Sequence, residues 1–410
     1  MRTRITTAAA SATAARTTAR ATAGRPAAAR PAAARTVAVR ATTALVASGA
    51  CLLLLTACGG PSSAHAPSSA PAADAGKNGD APPEALAGRG DVPRIPVPRG
   101  KGSRTADDFN GDGHRDLVID DLVKAPEDSH GDDAGIGVVY GSADGGLDPA
   151  ARQLLSARTH AAKVGDTLPV AFDAEAACDL DADGFTDLVV ATDPPYNGIG
   201  RPPVPLQVLF GSPEGLTGKA VTLRIPAAAR FGNEWPDHPV CGDFDGDDRT
   251  DLAVTAGAGR ISYLRGPFTR AAAPRAAASL PGGGPYLASP EPRADTNGDG
   301  YDDLAHSDKP LVPDAPAKAT LLLGSADGPA RPGGTYRIKA PAHGIPTAPV
   351  RTGSGPTETT LLRYADFDGD KKPDTVVRTY RGERTDVIAL YPSTTPDRPR
   401  VTFSTALFLP

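Results

Sequence analysis

The sequence predicts an all-β protein, a β-propeller of four-stranded antiparallel blades, and two observations carry that prediction. A nine-residue acidic phrase recurs five times between residues 108 and 374, with starts 71, 64, 52 and 71 residues apart. Each copy runs into short apolar segments of strand length, and no stretch longer than a turn or two has the 3.6-residue periodicity of an amphipathic helix. About four strands per repeat of about 60 residues is the pattern of propeller blades.

Residues 1–57 stand apart from that fold. They hold eight Arg, no Lys and no acidic residue, and they lead into Leu52-Leu53-Leu54-Leu55-Thr56-Ala57-Cys58. A positive region, an apolar core and small residues are the parts of a secretory signal. Leu55 to Cys58 resembles the lipobox of bacterial lipoproteins. That resemblance implies cleavage before Cys58, a lipid on Cys58 and a place on the outer face of the cell membrane. A spanning helix would need about 20 apolar residues, and the run from Thr42 to Ala57 is shorter and rich in Ala, Ser and Gly. The Arg/Ala-rich stretch before Val37 exceeds what a signal needs, so Val37 or Val39 is the expected start, with Arg40 as the positive end. Residues 58–100 are mainly Pro, Ala, Ser and Gly, cannot build a core, and are expected to form a disordered tether. The triplet Arg89-Gly90-Asp91 arises in such a composition by chance and is given no function.

Residues 101–410 hold the repeats. An apolar strand follows each acidic phrase, at 116–120, 187–191, 251–255, 303–305 and 374–377. A second follows, most often ending in Gly-Ser, at 137–142, 206–212, 261–266, 320–325 and 387–393. An outer strand is readable in four repeats, as at 219–225 and 400–403. Another precedes the next phrase, as at 168–171 and 361–364.

The acidic phrases are DFNGDGHRD, DLDADGFTD, DFDGDDRTD, DTNGDGYDD and DFDGDKKPD. Calcium takes six to eight oxygens, and a tight loop supplies them from alternate positions. Positions 1, 3 and 5 are Asp108, Asn110 and Asp112; Asp179, Asp181 and Asp183; Asp243, Asp245 and Asp247; Asp295, Asn297 and Asp299; and Asp366, Asp368 and Asp370. Position 7 offers a main-chain carbonyl, from His114, Phe185, Arg249, Tyr301 or Lys372, and position 9 an Asp: Asp116, Asp187, Asp251, Asp303 or Asp374. Position 6 needs a positive φ, which suits Gly113, Gly184 and Gly300 and strains Asp248 and Lys371. No copy has the Glu at position 12 or the flanking helices of an EF-hand. Without metal these would be Asx-turns, crowding 18 carboxylates into five clusters at the cost of mutual repulsion. The expected cofactor is therefore Ca²⁺, at up to five sites.

The loop, the following Asp-Leu-Val-Val strand and the strand ending in Gly-Ser together resemble the FG-GAP repeat of integrin α-subunit propellers and the related bacterial VCBS repeats. Ala191 to Gly198 stands where that family has its Gly-Ala-Pro turn, without the first Gly. The resemblance covers residues 101–410 and implies calcium loops at the rim that brace the blades. Integrin heads have seven blades, whereas five repeats are legible here.

Removing the eight Arg of residues 1–57 takes the formal charge from −5 to −13, which disfavours nucleic acid as a partner. Of four Cys, Cys51 leaves with the signal and Cys58 carries lipid. Cys178 and Cys241 either pair as a disulfide in an oxidising compartment or remain buried thiols. No nucleophile elbow, zinc-protease motif or P-loop is present, and the seven His are scattered. Trp235 reads as a packing residue, with a sugar-stacking platform as the alternative. The acidic segment from Asp120 to Asp133 reads as a solvated loop. The expectation is a non-enzymatic, lipid-anchored extracellular module binding a protein or polysaccharide. A cell-envelope hydrolase or lyase using the channel, or a scaffold subunit, stands as the alternative.

Overall fold

The computed structural model describes residues 92–124, 133–193, 205–291, 293–311, 317–338, 344–346, 358–380 and 385–409. The signal segment, Cys58 and the Arg-Gly-Asp triplet lie outside these residues. Five antiparallel sheets follow one another as the blades of a propeller. The first has β1 (Leu117–Ile119), β2 (Ile136–Ser142) and β3 (Gly146–Leu155). The second has β4 (Ala171–Cys178), β5 (Asp187–Asp193), β6 (Gln207–Leu209) and β7 (Val221–Thr222). The third has β8 (Val240–Gly242), β9 (Asp251–Ala256), β10 (Arg260–Arg265) and β11 (Ala276–Leu280). The fourth has β12 (Tyr286–Ala288), β13 (Leu304–Ser307), β14 (Ala317–Leu323) and β15 (Arg331–Ile338). The fifth has β16 (Glu358–Ala365), β17 (Asp374–Tyr380), β18 (Val387–Tyr391) and β19 (Val401–Ser404).

Strand order within each blade is sequence order, and each of the last four acidic phrases joins the first strand of a four-stranded blade to its second, while the first phrase leads into β1. The first blade has three strands, because among the described residues the chain before Asp108 contributes no inner strand. Ile95 instead bridges Ala151 on the outer strand β3, and Arg152 donates to the Val92 carbonyl. The ordered contacts of this blade thus begin before residue 101. In the second blade the inner strand is not the expected 168–171 but β4, running up to the loop. Its sequence, Ala-Phe-Asp-Ala-Glu-Ala-Ala-Cys, has little strand propensity and is held by its pairing with β5.

The middle strands are apolar on both faces because each sheet is sandwiched between two others. On β5, Leu188 and Val190 pack toward the first blade while Val189 packs toward the third. On β9, Leu252 and Val254 join that same second–third cluster, and Ala253 turns to the fourth blade. The ring closes between the fifth and first blades through Val376, Ile388 and Leu390 against Leu117, Ile119 and Leu147. There the buried Arg378 guanidinium pairs with Asp386 at 2.7 Å and donates to the Asp120 and Asp121 carbonyls at 2.6 and 2.8 Å.

Cys178 and Cys241 form a disulfide between inner strands β4 and β8, with Cα atoms 6.3 Å apart. Cys178 lies opposite Asp187, whereas Gly242, not Cys241, lies opposite Asp251. The one-residue offset is what the pairing requires. Neighbouring blades meet through opposite faces of equivalent sheets, and adjacent strand residues point to opposite faces.

Candidate metal centres

The five phrases fold alike. The position-1 carboxylate caps its own loop: one oxygen accepts from the amides of position 4 or 5 and the other from that of position 6. In the second loop Asp179 accepts from Asp183 N at 3.1 Å and Gly184 N at 2.9 Å. The same pattern holds for Asp108, Asp243, Asp295 and Asp366. The position-5 carboxylate accepts from the amide of position 7: Asp112 from His114, Asp183 from Phe185, Asp247 from Arg249, Asp299 from Tyr301 and Asp370 from Lys372. This ties the peptide of each position-7 residue against the loop.

Position 6 has a positive φ in every copy, including Asp248 at 60° and Lys371 at 64°. So does position 4: Gly111, Ala182, Gly246, Gly298 and Gly369, with Ala182 at 60°. The Gly in four of five copies was the available sign of that second left-handed turn.

The position-9 Asp is buried in every loop. Asp187 accepts from Leu180 N and from Gly211 N, both at 2.9 Å. The second bond crosses to the Gly of the Gly-Ser that ends the third strand, and Asp116, Asp251 and Asp303 reach Gly141, Gly266 and Gly324 in the same way. Asp374 reaches Ser393 instead. That Gly is required because a Cβ on Gly211 would lie 2.4 Å from the Thr186 carbonyl, and one on Gly324 2.4 Å from that of Asp302. The Gly-Ser pattern is visible in the sequence, but the clash that demands the Gly is not.

In the second, third and fifth loops the carboxylates of positions 1, 3 and 9 bring oxygens within 4.8 Å of one another: Asp179, Asp181 and Asp187; Asp243, Asp245 and Asp251; Asp366, Asp368 and Asp374. In the first and fourth loops Asn110 and Asn297 take position 3. The inner Oδ1 atoms of Asn110, Asp181 and Asp245 are buried and have no hydrogen-bond partner. A buried oxygen without a donor is costly, and within a ring of oxygens a cation could supply the missing partner. The residues fit a hard divalent ion. Burial raises the Asp187 carboxyl to about 8, and burial, with the Asp183 charge next, raises that of Asp181 to about 6. A bound cation would hold both ionised.

A second constellation joins inner strand β4 to the segment leading into β8. Glu175 is the unpaired residue of a bulge in β4, between Ala174 and Ala176. One oxygen of Glu175, one of Asp237 and a ring nitrogen of His238 lie within 4.8 Å of one another. The Asp237 backbone is fixed by two bonds to Thr255, and His238 takes a left-handed φ of 52° with its ring 5.1 Å from that of Tyr286. Burial, followed by the charges of Asp237, Asp120 and Asp173, raises Glu175 to about 8. The disulfide lies three residues beyond Glu175 on one strand and three beyond His238 on the other. Asp121, Asp133 and Asp173 gather beside it, and burial raises Asp120 to about 7. Trp235, on the loop leading to Asp237, is 40% exposed and Phe231 52%, so Trp235 is not a core residue. Among the described residues no helix is long and apolar enough to cross a membrane.

The chain matches no model of a known protein family, and no curated protein matches it. Fold and site together define a five-bladed, all-β propeller whose repeated Asp-rich loops, in several blades, can hold a metal ion.

Proposed function

We propose that this protein is a calcium-stabilised propeller of the FG-GAP and VCBS type, anchored by lipid on Cys58 outside the cell membrane, that presents its surface loops to a protein or polysaccharide. The observation that carries the calcium part is the inward, buried, unpartnered Oδ1 at position 3 of three loops, each within a loop closed by acidic side chains. Calcium is favoured over softer metals because the donors are all oxygens. The ion neutralises clustered carboxylates and binds only the folded loop, so it stabilises the fold by mass action. Thermal unfolding of the purified protein tests this: millimolar calcium should raise the melting temperature well above its value in EDTA, and equal values refute the reading. The anchor is tested by Cys58→Ala, which should release the chain from the membrane fraction.

A second reading, a cell-envelope hydrolase or lyase acting in the channel, is favoured by the convergence of Glu175, Asp237 and His238, with the exposed Trp235 two residues before Asp237 in the chain. A carboxyl raised to about 8 is protonated at neutral pH, as a general acid must be. Turnover of a cell-wall polysaccharide that is lost in Glu175→Gln would support it; no turnover by the unmodified protein would dismiss it.

A further inference from the structure

The position-3 side chains do not hold their inward pose alone. In the second loop the outer oxygen of Asp181, Oδ2, meets Arg270 Nε at 2.5 Å, while its inner Oδ1 is the buried atom without a donor. The same guanidinium pairs with Asp183, donates to the Gly211 carbonyl at 3.4 Å and lies 4.8 Å over the Phe210 ring. Arg270 belongs to the third blade's segment between β10 and β11, yet it serves the second blade's loop. In the third loop Asp245 repeats the division, with Oδ1 buried and unpartnered and Oδ2 3.4 Å from Arg265 and 3.9 Å from Arg275. The first loop reaches the same end without charge. Asn110 Nδ2 donates to the Pro98 carbonyl at 2.8 Å and to Asp112 at 2.9 Å, leaving Oδ1 buried and inward. Three unrelated anchors thus fix one side of the same ligand and leave the other free.

We infer that Arg270 is a positioning residue for calcium in the second loop, holding Asp181 by its outer oxygen so that the inner one faces the ion. This rests on the calcium reading above. A cation beside a ligand could instead compete with the metal for it. The geometry favours positioning at Asp181, because there the guanidinium takes the outer oxygen only, and it is itself 53% exposed, where its charge is screened. Groups that orient metal ligands in this way typically carry about 10–100-fold in affinity.

The test is calcium titration of the purified protein by calorimetry, with Arg270→Ala, Arg270→Lys and Asp181→Asn, alone and combined. Arg270→Ala should weaken one class of site about 10–100-fold, Arg270→Lys should restore part of the loss, and Arg270→Ala should add little once Asp181→Asn is present. An unchanged or tighter site in Arg270→Ala makes the arginine a bystander or competitor and overturns the inference while leaving the calcium reading intact. The full Arg270→Ala effect persisting in Asp181→Asn overturns it as well, because the arginine then does not act through that carboxylate. No calcium binding by the unmodified protein overturns both.

Discussion

Asp187→Ala separates the structural role of a loop aspartate from its role toward metal. Asp187 is fully buried, and each of its oxygens accepts one backbone N–H, from Leu180 and Gly211, at 2.9 Å. Truncation orphans both donors in a site that water cannot easily reach. At about 1–3 kcal/mol for each buried unsatisfied group, the loss is about 2–6 kcal/mol. Asp187→Asn keeps one acceptor oxygen and should lose about half as much. The control is Asp183→Ala, whose partly exposed carboxylate accepts from Phe185 N and pairs with the exposed Arg270, and which should cost less than about 1 kcal/mol. Urea unfolding at pH 7 in EDTA measures the structural part, and the further difference in millimolar calcium measures the ligand part. If Asp187→Ala in EDTA falls within about 1 kcal/mol of the unmodified protein, the buried aspartate is not the staple between loop and third strand, and the accounting of its two donors is wrong.

Ala182→Gly and Lys371→Gly should each stabilise the protein by about 1 kcal/mol, because both residues hold a left-handed φ that only glycine adopts freely; no gain in urea midpoint refutes this. Gly324→Ala should cost about 1–3 kcal/mol, since its Cβ would meet the Asp302 carbonyl at 2.4 Å, and a neutral effect on melting would contradict it. Glu175 titrates at about 8 in the fold and near 4.5 when unfolded, so the folded state keeps a proton that the unfolded chain releases, and stability falls as pH rises between those values. Glu175→Gln should remove that fall and raise the melting temperature more at pH 8 than at pH 5; an equal gain at both refutes it.

The blades were legible because their middle strands are apolar on both faces and recur with the loops. The ends of the sheets were less so. β4 is Ala- and acid-rich, and its pairing with β5 rather than its own propensity makes it a strand. The acidic clusters that could hold a metal ion were legible from spacing alone, as was the positive φ at position 6. The second left-handed turn at position 4 and the role of the Gly-Ser needed backbone distances, since both depend on what the next strand presents. Glu175 lies about 60 residues from the adjacent pair Asp237 and His238 and forms no motif with them; only the bulge and the adjacency of two inner strands unite them. The arginines behind position 3 were invisible for the same reason, Arg270 lying in the neighbouring repeat.

Position 2 of each loop bears on how the ring comes apart. Phe109, Leu180, Phe244 and Phe367 are buried there, each in a cluster shared with an adjoining blade, but the fourth loop has Thr296, which is exposed. Among the described residues no apolar cluster joins the fourth blade to the fifth, whereas the other four junctions each have one. A closed circle of five joints carries load through its least cohesive one, so thermal opening starts where the least apolar surface must be wetted. The covalent thread from β15 to β16 spans that same joint, and it keeps the parted blades at high effective concentration for reclosure. The fifth-to-first closure, by contrast, is held noncovalently, by the apolar cluster of Val376, Ile388 and Leu390 against Leu117, Ile119 and Leu147.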